Sequence, residues 1–98
     1  MTVVMNMDLP VTREEIEGVS AELGTHENPP DGLLVHVATT TADGVHVTDV
    51  WESQAAFEKF RDEELMPAMQ KFMIEHNMSM DQAPEPALDE AFDVVRGR

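Results

Sequence analysis

The stretch Leu33-Leu34-Val35-His36-Val37-Ala38-Thr39-Thr40-Thr41, Ala42-Asp43-Gly44, Val45-His46-Val47-Thr48-Asp49-Val50-Trp51 decides the fold. Two Val- and Thr-rich runs flank a turn signal and read as an antiparallel hairpin. Asp43-Gly44 suits a type I′ turn, which needs positive φ at both central residues. Asn28-Pro29-Pro30-Asp31-Gly32 marks the loop before the hairpin. Beyond it, Ser53 is a good N-cap and Gln54 onward reads as helix. Ala56, Phe57 and Phe60, then Met66, Met69 and Met73, supply its apolar face. Pro67 lacks the donor a helix interior needs. The helix is therefore expected to run from Gln54 to about Glu64, break near Pro67, and continue to about His76.

Working outward, Met1–Met7 reads as a first strand ended by Pro10. Thr12 and Glu15 form a capping-box pair. Ile16, Val19 and Leu23 give a narrow apolar stripe, and Gly24 closes that helix. Residues 78–90, with Pro84 and Pro86, read as loop, and residues 91–98 as a last strand (Ala91–Val95) and tail. The order is βαββαβ: a single ferredoxin-like α+β domain over residues 1–98, a four-stranded antiparallel sheet with both helices on one face. The other face is then bare and apolar, which a second copy stacked sheet on sheet would cover.

The composition restricts function. In 98 residues, 20 acidic against 6 basic side chains give a net charge of −14, which disfavours nucleic acid and anionic membranes as partners. No apolar run is long enough to span a bilayer, and no leader segment is evident. The absence of cysteine removes disulfides and thiolate metal sites and fits a cytoplasmic home. His26, His36, His46 and His76 show no metal-ligand spacing, and no cofactor-binding motif stands out, so no cofactor is expected.

Strand parity proposes a site. A two-residue turn at Asp43-Gly44 pairs His36 with Trp51, and a four-residue loop from Thr41 to Gly44 pairs His36 with Asp49. Both put Leu34, His36 and Ala38 on one face with Val47, Asp49 and Trp51. A three-residue loop would break the grouping that these two share. The plainer face, with Leu33, Val35, Val37, Thr48 and Val50, is expected to receive the helices. His36 and Asp49 form a minimal general-base unit, the carboxylate fixing the imidazole tautomer. Trp51, with Leu34 and Val47, would wall a pocket for a hydrophobic ring-bearing molecule, and Asn6 could orient a ligand oxygen. A cavity of about 300 Å³ or more reaching His36 favours an enzyme or a binder. A packed interior favours a structural protein, and a His36 turned against the helices would end the dyad reading and leave a binding or structural protein ahead.

Asp49-Val50-Trp51-Glu52-Ser53, followed by Ala55-Ala56-Phe57 and Phe60, resembles the strand-to-helix signature of the dimeric α+β barrel superfamily, the antibiotic-biosynthesis-monooxygenase-like group. Gly32-Leu33-Leu34-Val35-His36 and Leu65-Met66-Pro67-Ala68 extend the likeness to small actinobacterial members. The resemblance implies a homodimer with a cavity between each sheet and its helices or inside the barrel. It also implies a cofactor-free monooxygenase, isomerase or cyclase, or a non-catalytic binding protein. Haem-degrading members use an Asn, a Trp and a His. Asn6 matches the first, Phe60 stands in place of the Trp, and Gln70 lies near the position of the axial His, so haem chemistry is not favoured.

Overall fold

A computed structural model describes residues 1–77 and 85–97. The elements are β1 (Val3–Leu9), α1 (Arg13–Leu23), β2 (Leu33–Thr41), β3 (Gly44–Trp51), α2 (Gln54–Phe60), a π-helical turn (Arg61–Leu65), α3 (Met66–Glu75) and β4 (Ala87–Glu90). The strands form one antiparallel sheet in the order β2-β3-β1-β4. This is the expected α+β, ferredoxin-like arrangement.

Local chemistry starts and stops α1. The Glu15 amide donates to Thr12 Oγ1 and the Thr12 amide donates to Glu15 Oε1. Gly24 then takes a left-handed conformation, φ 69°, and its amide donates to the Ser20 carbonyl. Ser53 caps α2 by accepting from the Ala56 amide.

The hairpin differs from expectation in two ways. Its tip is Ala42-Asp43, because Thr41 pairs with Gly44, and neither tip residue has positive φ. Gly44 serves a different purpose: a Cβ there would stand 2.1 Å from the Leu9 carbonyl oxygen, so glycine is what lets β1 approach β3. The register is the one that sets His36 opposite Asp49. A β-bulge then intervenes between Leu33 and Val35, so Leu33 pairs with Trp51 and Leu34 is the extra residue.

The helices pack on the face opposite to the one expected. Val45, Val47, Asp49 and Trp51 are buried beneath them, while Val35 and Val37 are each 47% exposed. The cause is the short Glu52-Ser53 link, which brings α2 straight over Trp51. Ring centroids lie 5.8 Å apart for Trp51–Phe57 and 5.4 Å for Trp51–Phe60. Large rings bury more area than the β-branched side chains of the bare face, so they decide which side is covered. Val3, Met5 and Leu9 of β1 and Phe72 and Met73 of α3 complete the core.

Two further expectations change. The second helix is interrupted, but before Pro67 and without a stop: a π-helical turn joins α2 to α3, and Pro67 sits in the first turn of α3. The last strand is Ala87–Glu90, not Ala91–Val95, and part of the expected 78–90 loop is therefore strand. Its residues are weak strand formers, and the pairing with β1, Met5 opposite Leu88, holds them there. Residues 78–84 of that loop lie outside the described residues.

Candidate active site

The site is built on β2 and β3, the two strands of the decisive hairpin. Directly opposed across them, His36 Nδ1 and Asp49 Oδ1 are 2.6 Å apart, a short charge-assisted contact. The Asp49 side chain is 8% exposed and that of His36 is 41% exposed, so the carboxylate is interior and the imidazole stands at the edge. The Asp49 hydrogen bond raises the His36 pKa above its ordinary value, burial opposes this, and the negative charge of Asp49 adds to the rise.

Behind the pair lies a cavity of about 320 Å³ between the sheet and the helices. Val47, Asp49 and Trp51 form its floor, α1 contributes Ile16 and Val19, and Phe60, Leu65 and Met69 close it from above. His36, with His26 and Ser20, also lines a wider hollow of about 850 Å³ between α1 and the β2 edge. His36 thus stands where the enclosed cavity meets the open surface. Trp51 is fully buried and its indole Nε1–H has no hydrogen-bond partner among the described residues.

Of the side chains the sequence singles out, the fold brings His36, Asp49, Trp51 and Val47 around this cavity. It does not bring Leu34 or Asn6. The bulge turns Leu34 to the face away from the helices, where it lies in a groove with Val4, Val35 and Val50 that the C-terminal residues Val94 and Val95 also line. Asn6 pairs with Thr48 on that same far side, and its Oδ1 accepts from Thr48 Oγ1 at 2.7 Å. His46 Nε2 lies 3.1 Å from the same oxygen, and His46 Nδ1 lies 2.7 Å from Asp8 Oδ1. Asn6 therefore does not reach the cavity and cannot orient a ligand oxygen there, contrary to expectation. Leu65 is not among the site residues the sequence singles out, and Met69 reads there as part of the helix's apolar face rather than as cavity wall. Their signal was a phase change in the apolar pattern after Phe60, which a straight-helix reading hides. Among the described residues no cluster of His, Asp and Glu is placed to hold a metal ion, and no helix is long and apolar enough to cross a membrane.

Neither a family model nor a curated protein matches the sequence. Solved structures do match the fold. An antibiotic biosynthesis monooxygenase-like protein from Deinococcus radiodurans superposes with a TM-score of 0.66 at 12% identity, covering 100% of this chain and 99% of that one. SnoaB, a cofactor-independent oxygenase from Streptomyces nogalater, gives 0.60 at 19% identity over 98% and 96% of the two chains. The chain has the antibiotic-biosynthesis-monooxygenase-like fold. A further protein of this type, from Chloroflexus aurantiacus, gives 0.60 at 16% identity over 100% and 97%. At these identities the antibiotic-biosynthesis-monooxygenase-like fold is what is shared, and chemistry has to be argued from the cavity.

Proposed function

We propose that the protein is a small cofactor-independent enzyme that removes an acidic proton from a hydrophobic, ring-bearing molecule, with His36 as the base. The observation that carries this reading is the 2.6 Å His36–Asp49 contact at the mouth of a cavity of about 320 Å³. Asp49 holds the Nδ1–H tautomer and leaves Nε2 to accept the proton. Trp51, Val47, Leu65 and Met69 offer flat and adaptable apolar walls. Loss of a proton next to a ring carbonyl gives a delocalised carbanion, the species from which oxygenation by dioxygen, isomerisation or cyclisation can start. The likeness to SnoaB favours oxygenation among these.

A second reading, a non-catalytic ligand-binding homodimer, is favoured by the position of His36 on the helix side of the sheet. On that side of the sheet a cavity of about 320 Å³ still leaves space for a substrate beside His36, which is what keeps the base role open to test. In both readings two copies stack their bare faces, hiding Val35 and Val37, and the cysteine-free chain works in the cytoplasm.

The two readings separate with 2-tetralone, a neutral bicyclic ketone with an acidic methylene. Exchange of its methylene protons in D₂O, followed by NMR, is expected to be accelerated by the protein. His36→Ala is expected to lose about a hundredfold or more of that acceleration while retaining the thermal shift on binding. Binding with no acceleration would leave the binding reading in place of the enzyme, and acceleration unchanged in His36→Ala would assign the proton removal to another group.

A further inference from the structure

The polypeptide from Gln54 to Glu75 runs as one rod, yet its two halves are out of phase. Phe60, Leu65 and Met66 all keep right-handed helical dihedrals, and the Met66 amide donates to the Arg61 carbonyl, five residues back instead of four. An α-helix turns about 100° per residue. Extended at that rate from Phe57, an unbroken helix would turn Glu64, Ala68, Lys71 and Glu75 toward the sheet. The wider turn takes up one extra residue, and Leu65, Met69 and Phe72 arrive in those places. Exposure agrees at the charged positions: Phe57 and Phe72 are buried, Leu65 and Met69 line the cavity, and Glu64, Lys71 and Glu75 face solvent, while the small Ala68 packs against the core in either phase. Pro67 reinforces the slip, because it has no amide to return to the Glu63 carbonyl and its ring crowds that carbonyl in α geometry. Turns of this kind are frequent at functional sites.

We propose that the π-helical turn is a specificity-determining element of the cavity, presenting Leu65 and Met69 to the space beside His36 and keeping the Glu64 carboxylate outside it. This rests on the reading of the cavity as a small-molecule site. A carboxylate in the apolar wall would favour a cationic ligand and oppose the anion that His36 creates by removing a proton. With Leu65 there instead, the site takes a ring system that enters uncharged and acquires negative charge only after deprotonation.

The chain has no cysteine, so single thiols can report on the phase. Glu64→Cys and Leu65→Cys would be labelled with N-ethylmaleimide, with and without saturating 2-tetralone, and Met69→Cys serves as a second cavity-facing position. The Glu64→Cys thiol is expected to react about tenfold faster than the Leu65→Cys thiol. 2-Tetralone is expected to protect the Leu65→Cys and Met69→Cys thiols and to leave Glu64→Cys unchanged. Equal rates, or slower labelling at position 64, would overturn the proposal whatever the cavity binds. A thermal shift with 2-tetralone but no protection at positions 65 and 69 would overturn the assignment of the wall. No thermal shift, with position 65 still slow, would refute occupancy of the cavity, and the specificity role with it, while the helix phase stood. A Leu65→Glu chain that folds is expected to lose 2-tetralone and gain the cationic analogue 2-aminotetralin. Unchanged preference would count against the proposal.

Discussion

His36 and Asp49 are coupled in opposite directions to stability and to chemistry. The carboxylate raises the imidazole's folded pKa above its unfolded value of about 6.5. The pair's contribution to stability is therefore full below about 6.5 and fades as pH climbs through the folded pKa. Base catalysis gains over the same window, since it needs the neutral ring. Proton exchange of 2-tetralone is expected to rise with pH to a midpoint above about 6.5. Asp49→Asn, which keeps the shape and removes the charge, is expected to lower that midpoint. It should also flatten the decline of melting temperature across this range. A midpoint indifferent to Asp49→Asn would assign the shift to something other than the carboxylate. Legibility at this scale was uneven. Parity brought His36, Asp49, Trp51 and Val47 together, because alternation is a backbone property that needs no knowledge of packing. Leu34 was misplaced by one extra residue, and a Val-rich run carries no mark of a bulge. Asn6 was misplaced because the strand that holds it gives no hint of which face the helices choose.

Among the elements, α1 was readable from end to end. Its signals, Thr12 with Glu15 and Gly24, act within one turn of the chain. The strand β4 was not readable, since Ala87–Glu90 owes its conformation to β1 rather than to its own residues. The hairpin lies between these: its register is one of several that the loop lengths allow, and Gly44, which reads as a turn residue, owes its constraint to Leu9 of another strand. The helix break was foreseen from Pro67, but its form was not. The missing information lay in the spacing of Phe57 and Phe60 against Leu65, Met69 and Phe72, which fits one face only if a residue is skipped. Deleting Glu63 together with Pro67→Ala should convert the rod into an unbroken α-helix with the same core residues. Its cost in urea melts is expected to stay below about 2 kcal/mol. Deleting Glu17 from α1 rotates every later residue of that helix by about 100° and is expected to cost considerably more. Equal costs would show that the π-turn does not absorb a residue.

For the molecule as a whole, the bare face and the charge pull against each other. Val35 and Val37 call for a partner, while −14 charges on each copy resist one. Light scattering at micromolar concentration is expected to show a dimer that tightens from low salt to about 0.15 M, as screening shortens the reach of the repulsion to about 8 Å. A monomer under those conditions would remove the stacked-sheet assembly. The same repulsion bears on β2, a nine-residue edge strand whose outer backbone groups no strand among the described residues takes up. Such an edge is commonly blunted by lysine or proline, and Leu33–Thr41 contains neither. Colloidal safety here is delegated to the distributed negative charge, and it vanishes near the isoelectric point of about 4.3. Held at that pH, the protein is expected to form thioflavin-binding fibrils through β2, and Thr40→Lys is expected to suppress them without altering the fold at pH 7. A wild type that stays clear at its isoelectric point would show that the edge is guarded by something other than charge.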